Sequence, residues 1–306
     1  MRTLKLVPAK TNITFIKHRT LAMGLSIFLM IASIGVFFTH GLNFGIDFKG
    51  GTLIEASAED AVDIAALRDR LNNMDIGEVQ IQEFGKETDV LIRIAKADGA
   101  VDASQDLSAV QVVRDELVQD YDIRRVEIVG PQVSAELIQT GILAVVVAIC
   151  SMLIYIWFRF EWQFSVGAVL ALVHDVVLTI GIFSLLQLDF NLSILAAILT
   201  IVGYSMNDTV VVYDRVRENL RKFKKMGLHE LLDIAINETL SRTVMTSVTT
   251  LLALLALYVL GGEVIRGFTF AMIWGVLVGT YSSIFIASPL LMWLGVKRDW
   301  SGNQVN

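Results

Sequence analysis

Four stretches of this chain run for at least 20 residues without a charged side chain: Thr20 to Ile46, Leu137 to Phe158, Thr243 to Gly262 and Gly267 to Val296. A helix needs about 20 apolar residues to cross a hydrocarbon layer about 30 Å thick, so each stretch is long enough to span a bilayer. Two more of the same scale are each broken by one carboxylate, Trp162 to Leu188 by Asp175 and Phe190 to Tyr213 by Asp208. Of the 306 residues 54% are hydrophobic and 18% charged, whereas ordinary soluble domains carry about 25% charged residues. The expected fold class is an α-helical polytopic membrane protein. Its six transmembrane helices fall near residues 20–40, 138–158, 163–186, 191–213, 240–260 and 267–294.

Arg2, Lys5, Lys10, Lys17 and Arg19 form a positive leader before the first span. That span is longer than the roughly 7 to 15 apolar residues of a secretory signal and has no A-x-A site after it, so it reads as a retained anchor. Lysine and arginine in short loops set the orientation. The leader, Arg159 after the second span, the run Arg215, Arg217, Arg221, Lys222, Lys224 and Lys225 after the fourth, and Lys297 and Arg298 at the end all belong on one side. The intervening turns, 187–191 and 261–266, carry none and one. Both termini are therefore expected in the cytoplasm. The domain plan is a cytoplasmic leader at 1–19, a span at 20–40, an external (periplasmic) domain at 41–136, spans two to six over 137–294 with a cytoplasmic loop at 214–239, and a cytoplasmic tail at 295–306.

The net charge of −6 conceals a division. Residues 41–136 hold 9 Lys and Arg against 20 Asp and Glu, a net of −11, and the rest of the chain nets +5. The acidic balance argues against a nucleic-acid binder, which would need a concentrated basic face. The external segment alternates like strands at 52–58, 79–84, 90–95 and 122–129. Between them, 62–74 places Ile64, Leu67 and Leu71 on one helical face, and 103–121 does the same with Leu107, Val110, Val113 and Leu117, with Asp102 or Ser104 as its cap. Strand, helix, strand, strand, helix, strand is the order of an α+β ferredoxin-like domain. It contains no histidine or cysteine, and its serines at 57, 104, 108 and 134 lack a base to activate them. Cys150, the single cysteine, falls in the second span. No catalytic residues, metal ligands, cofactor motif or phosphate-cradling nucleotide motif are present, which leaves an ion gradient or a partner as the energy source.

Ionisable groups inside spans are costly and mark ion pathways or buried pairs. The candidates are Asp208 in the fourth span, Arg242 at the start of the fifth, and His174 and Asp175 in the third. Asp208 lies six residues before the cytoplasmic border and Arg242 four after Glu238, about 9 Å and 6 Å deep at 1.5 Å per residue, so a pair is geometrically reasonable. A carboxylate between burial and an arginine is a proton switch, because protonation releases the arginine and frees the helices to slide. A static pair that fixes helix packing is the alternative. For His174 and Asp175, a proton-pathway role and a plain hydrogen-bonding role stand side by side. Bland readings suit the other features. The basic run at 215–225 fixes topology and meets anionic membrane lipid heads, and 228–240 forms an interfacial amphipathic helix. Gly275 and Gly279 permit close helix packing, Pro289 kinks or ends the last span, and Gly50 and Gly51 supply a turn with positive φ.

The sequence Gly45-Ile46-Asp47-Phe48-Lys49-Gly50-Gly51-Thr52 after the first span resembles the SecD/SecF family of protein-export subunits. So does Val173-His174-Asp175 in the third. The run Val202-Gly203-Tyr204-Ser205-Met206-Asn207-Asp208 through Tyr213-Asp214-Arg215-Val216-Arg217-Glu218 resembles its SecF branch, as do Ser241-Arg242-Thr243 and Gly261-Gly262. The resemblance implies a place in the resistance-nodulation-division superfamily, where two six-helix halves form one unit. It implies a SecD chain as the other half, association with YajC and the SecYEG channel, and a translocating polypeptide as the object moved. It also implies use of the proton motive force, with Asp208 and Arg242 in the proton pathway. Half of a lipid or small-molecule exporter, and a passive assembly scaffold, are the competing functions.

One charge crossing a membrane at about 150 mV supplies about 3.5 kcal/mol. Swinging a two-state equilibrium from about 1:99 to about 99:1 takes about 5.5 kcal/mol. A cycle is therefore expected to use more than one proton, or to bias the external domains rather than lock them.

Overall fold

Charge-free runs have no choice of structure in hydrocarbon, because every backbone N–H and C=O must be satisfied within the segment. The computed structural model describes residues 8, 11–74, 79–94 and 111–296, and six helices in it are long and apolar enough to cross a membrane. They are α1 (Arg19–His40), α5 (Pro131–Arg159), α6 (Trp162–Leu186), α7 (Leu192–Lys222), α8 (Leu228–Leu260) and a last span that begins with α9 (Glu263–Ser282). The leader's Arg2, Lys5 and Lys10, the tail's Lys297 and Arg298, and the proposed caps Asp102 and Ser104 lie outside the described residues.

Burial sorts the spans into two layers. In α6, α7 and the last span 56%, 50% and 56% of the most apolar window is buried, against 17%, 11% and 17% in α1, α5 and α8. The polar residues of α6 and α7 thus sit at the centre, and α8 is peripheral. Tyr213 of α7 is fully buried against Phe160 and Phe164, and its hydroxyl donates to the Ala287 carbonyl at 3.0 Å. Gly275 and Gly279 bring α9 against α7, where a Cβ on Gly279 would stand 2.9 Å from the Cβ of Ser205.

Two expectations change in shape. The segment 214–239, expected as a loop between spans, is mostly helical, with only residues 223–227 between the end of α7 and the start of α8. Arg, Lys and Glu are good helix formers once outside hydrocarbon. Val216 and Leu220 pack with Leu231, Leu232, Ala235 and Ile236 in the main core, which holds the two extensions together. The interfacial helix expected at 228–240 is thus the opening of α8. The last span is interrupted: a π-helical turn, Ser283–Ala287, separates α9 from α10 (Ser288–Trp293). Pro289, in the first turn of α10, lacks an N–H and disturbs the ladder there, which the wider turn absorbs. The Ser288 hydroxyl donates to the Ser283 carbonyl at 3.0 Å.

Between α1 and α5 the chain forms β1 (Asn43–Phe44), the single turn α2 (Ile46–Lys49), β2 (Gly51–Ser57), α3 (Ile64–Asn72), β3 (Val79–Phe84), β4 (Lys86–Ile94), α4 (residues 111–117) and β5 (Asp122–Val129). The four longer strands lie in the order β3-β4-β2-β5, every pair antiparallel, with a bulge between Glu55 and Ala56. This order is compatible with the expected ferredoxin-like unit. Asp63 caps α3 by accepting from the amides of Ala65 and Ala66 at 3.0 Å. Ile54, Ala56 and Ile92 on one sheet face pack with Leu67 and Leu71 of α3 and Val113 and Leu117 of α4 in a core separate from that of the spans.

The opposite sheet face looks onto the membrane body across a cavity of about 770 Å³, lined by Leu53, Glu55, Leu91 and Arg93 on one side and Leu188, Asn191, Tyr258 and Phe270 on the other. A second, two-stranded sheet joins the parts: β1 pairs in parallel with β6 (Asp189–Phe190), between α6 and α7. Phe44, Phe48 and Phe190 pack edge to face or tilted around that junction.

Candidate functional site

The buried stripe of α7 includes Ile201, Val202, Ser205, Asp208, Thr209 and Val212, at intervals of three and four. That spacing carries Ser205 and Asp208 inward on one face and leaves Asn207 exposed. Asp208 is 3% exposed, and its Oδ2 has no protein hydrogen-bond partner. An acceptor so buried and so poorly satisfied is costly, which marks the position as more than packing.

Arg242 does not close the expected ion pair. Its charge acts on Asp208 across the contact between α7 and α8, but among the described residues no salt bridge joins the two. The reason lies in the phase of α8. Its buried positions include Ala235, Ile236, Thr239, Thr243 and Ser247, and Arg242, one residue and about 100° off that stripe, is exposed. Thr243 faces inward instead, its hydroxyl also without a partner.

His174 and Asp175 stand at the centre of the bundle, each 1% exposed. The His174 Nδ1 lies 2.9 Å from Asp175 Oδ1. Asp175 Oδ2 accepts from the hydroxyls of Ser205 at 2.6 Å and Ser282 at 2.8 Å. One carboxylate therefore ties α6, α7 and α9 together. The His174 ring lies 6.3 Å from that of Tyr281, whose hydroxyl donates to the Ala22 carbonyl of α1 at 2.9 Å and lies 3.0 Å from Ser26. Ser282 and Tyr281 were not among the sequence candidates; serines and tyrosines scattered along an apolar span give no sign of which carboxylate they face.

The rest of the α7 motif divides by depth. Gly203 has nothing within 4 Å of a notional Cβ, so it opens outward beside Asn207. The Tyr204 hydroxyl reaches Thr250 of α8 at 3.4 Å. Asp214 pairs with Arg159 at 3.0 Å, and Arg215 with Glu218 at 2.9 Å and Glu238 at 3.7 Å. These pairs are exposed, so they contribute little to stability. They do link the ends of α5, α7 and α8.

The glycine motif has a structural use. Gly50 and Gly51 take φ of +74° and +113°, as a sharp entry into β2 requires. Phe48 is buried. Asp47 reaches out of its own turn, and its Oδ2 accepts from the Leu192 amide at 2.8 Å, capping the first turn of α7. Asp189, which the sequence did not single out, accepts from Asn43 at 2.9 Å and Gln82 at 3.3 Å and pairs with Arg93. It thereby binds the sheet of the external domain to the turn between α6 and α7. Among the described residues no three of His, Cys, Asp and Glu gather as a metal site would require.

Comparison with known proteins places this geometry. Residues 109–297 match the family model described as protein export membrane protein SecD/SecF, C-terminal, and residues 35–62 match the SecD/SecF GG motif. Protein translocase subunit SecF of Cereibacter sphaeroides is 49% identical over 303 residues, covering 96% of this chain and 93% of the relative. The subunit of the same name from Rickettsia bellii is 44% identical over 299 residues, 96% of this chain and 97% of the relative. The crystal structure of SecDF, a translocon-associated membrane protein from Thermus thermophilus, superposes with a TM-score of 0.85 at 36% identity over 94% of this chain. SecDF in its super-membrane-facing form matches with a TM-score of 0.69 at 36% identity over 95%. The chain spans 39% and 40% of the length of those two solved chains. With two family models matched in sequence and the fold matched in space, the chain belongs to the SecD/SecF family of protein export membrane proteins.

Proposed function

We propose that this chain is the SecF-type auxiliary subunit of the bacterial Sec translocase. With SecD it uses the proton motive force to promote export of polypeptides across the cytoplasmic membrane and their insertion into it. The observation that carries the reading is Asp208, a carboxylate held inside the bundle with one oxygen unsatisfied while a cation on the next helix acts on it. Such a group is suited to exchange a proton. Arg242, Asn207 and the open surface of Gly203 lie toward the outside of this bundle, where a second half would enclose them. The SecDF chains, of which this chain matches about two fifths, support SecD as that half. YajC, the SecYEG channel and the translocating polypeptide follow from the family resemblance. Both termini lie in the cytoplasm and the acidic domain in the periplasm, in keeping with the distribution of lysine and arginine.

The test is Asp208→Asn in the complex with SecD, assayed in vesicles with an imposed proton gradient. The gradient-dependent stimulation of precursor export is lost while SecD still copurifies. Normal export and proton conductance in an intact complex would overturn the reading. Loss of assembly with conductance unaffected would mark a scaffold.

A further inference from the structure

The cluster at the centre of the bundle has a chemistry that Asp208 does not use. Asp175 takes hydrogen bonds from Ser205 and Ser282 on one oxygen and faces His174 Nδ1 with the other. The Ser282 hydroxyl also lies 3.1 Å from the Gly279 carbonyl, but the carboxylate is nearer and is the stronger acceptor. With Nδ1–H taken as the third donor beside the two serine hydroxyls, Asp175 accepts on both oxygens as a carboxylate. With its Nδ1–H given to Asp175, His174 is the neutral tautomer whose Nε2 carries a lone pair. That nitrogen is buried and no protein donor reaches it. In this form the cluster holds one uncompensated negative charge at the centre of the bundle and, beside it, a vacant base. One proton on Nε2 makes an imidazolium against the aspartate, a pair with no net charge and every existing hydrogen bond kept.

We propose that Nε2 of His174 is a second proton-binding site of this chain, with Asp175 as its counter-ion and Ser205 and Ser282 holding that counter-ion in place. Ser205 lies one turn before Asp208 on the same buried face of α7, so the two sites share a helix. Two sites also meet the demand that one proton crossing the membrane cannot, since about 3.5 kcal/mol falls short of a full two-state swing. The coupling of this site to export rests on the function proposed above; the binding of the proton does not. The ionisable groups on α7 and α9, which pack against the pair, are Tyr204, Asp208, Tyr213 and the charged run that begins at Asp214 on α7, and Glu263, Arg266 and Tyr281 on α9. α1 and α5 carry their charged groups, Arg19, Glu136 and Arg159, at or near their ends, and α10 carries none.

The experiment is a pH series of nitrogen NMR spectra of the full chain with SecD in lipid vesicles, with histidine labelled. Of the 4 histidines, His18 and His40 are exposed and the side chain of His229 is 44% exposed, so a water-soluble paramagnetic agent broadens them and leaves His174. His174 passes from one protonated ring nitrogen to two as the pH of the series falls. Asp175→Asn weakens that protonation at least tenfold, and His174→Gln removes the signal. A His174 that keeps one neutral tautomer over the whole series would overturn the inference, and needs no variant to be seen. Asp208→Asn keeps the His174 titration while abolishing gradient-driven export, so failure of one proposal is read separately from failure of the other.

Discussion

Two aspartates are buried in this bundle less than two turns apart in depth, and their surroundings differ. Asp175 is built into the fold: three side-chain groups on three helices converge on its two oxygens. Asp208 sits one turn beyond Ser205 on α7 with an oxygen that nothing in the chain satisfies. A carboxylate surrounded by donors stabilises what it joins. A carboxylate left short of donors is a cost to the fold and remains available for chemistry. The contrast separates a residue that holds helices from one whose protonation can change without dismantling them.

The comparison breaks most readily by exchange. Asp208→Asn abolishes the gradient-dependent part of export, yet shifts the unfolding free energy of the chain in detergent by no more than about 0.5 kcal/mol, since no hydrogen bond is lost. Asp175→Ala lowers that free energy by about 2–3 kcal/mol, three buried hydrogen bonds at about 0.6–1 each. Equal losses of stability from the two variants would erase the distinction.

Glycines on α9 and α7 sharpen it. Gly279→Ala places a methyl 2.9 Å from Ser205 Cβ, pushes α9 off α7, and costs about 1–2 kcal/mol in the same unfolding measurement. Gly203→Ala meets nothing within 4 Å and gains up to about 1 kcal/mol from helix propensity. A bulkier Gly203→Leu leaves the chain stable and, on the function proposed above, lowers the yield of SecD on copurification.

The smallest effect lies in the external domain. Asp89 accepts from Ser57 at 2.6 Å and Arg124 at 2.9 Å. The Ser57 bond, then the Arg124 bond and charge, outweigh its burial and hold its carboxyl below the ordinary 3.8. A carboxyl with a depressed folded pKa stabilises the fold above its unfolded value, and that contribution is lost as pH falls through the folded one. The amides of β2, β4 and β5 in the full chain therefore lose hydrogen-exchange protection below about pH 4, by about 1 kcal/mol. Asp89→Asn flattens that dependence.

The six spans and the four longer strands are legible because each depends on one local rule, scarcity of charge for the spans and alternation for the strands. The extension of α7 and α8 past the membrane is not. Arg215 to Lys225 reads as a loop by charge, and only the inward packing of Val216 and Leu220 turns the first part of it into helix. The separation of Asp208 from Arg242 is invisible at the level of depth, since both lie where expected; a single step of helical phase decides it. Asp189 carried no signal at all, because its partners Asn43, Gln82 and Arg93 come from three distant segments.

The cap that Asp47 places on α7 has a mechanical meaning. Leu192, which it holds, and Asp208 lie sixteen residues apart on one unbroken helix, about 24 Å at 1.5 Å per residue. The glycine turn and the carboxylate therefore sit at the start and the middle of a single rod. Any slide or roll of α7 that follows a change of charge at its middle must be felt by the root of the domain between α1 and α5, or it must snap a cap worth about 1 kcal/mol.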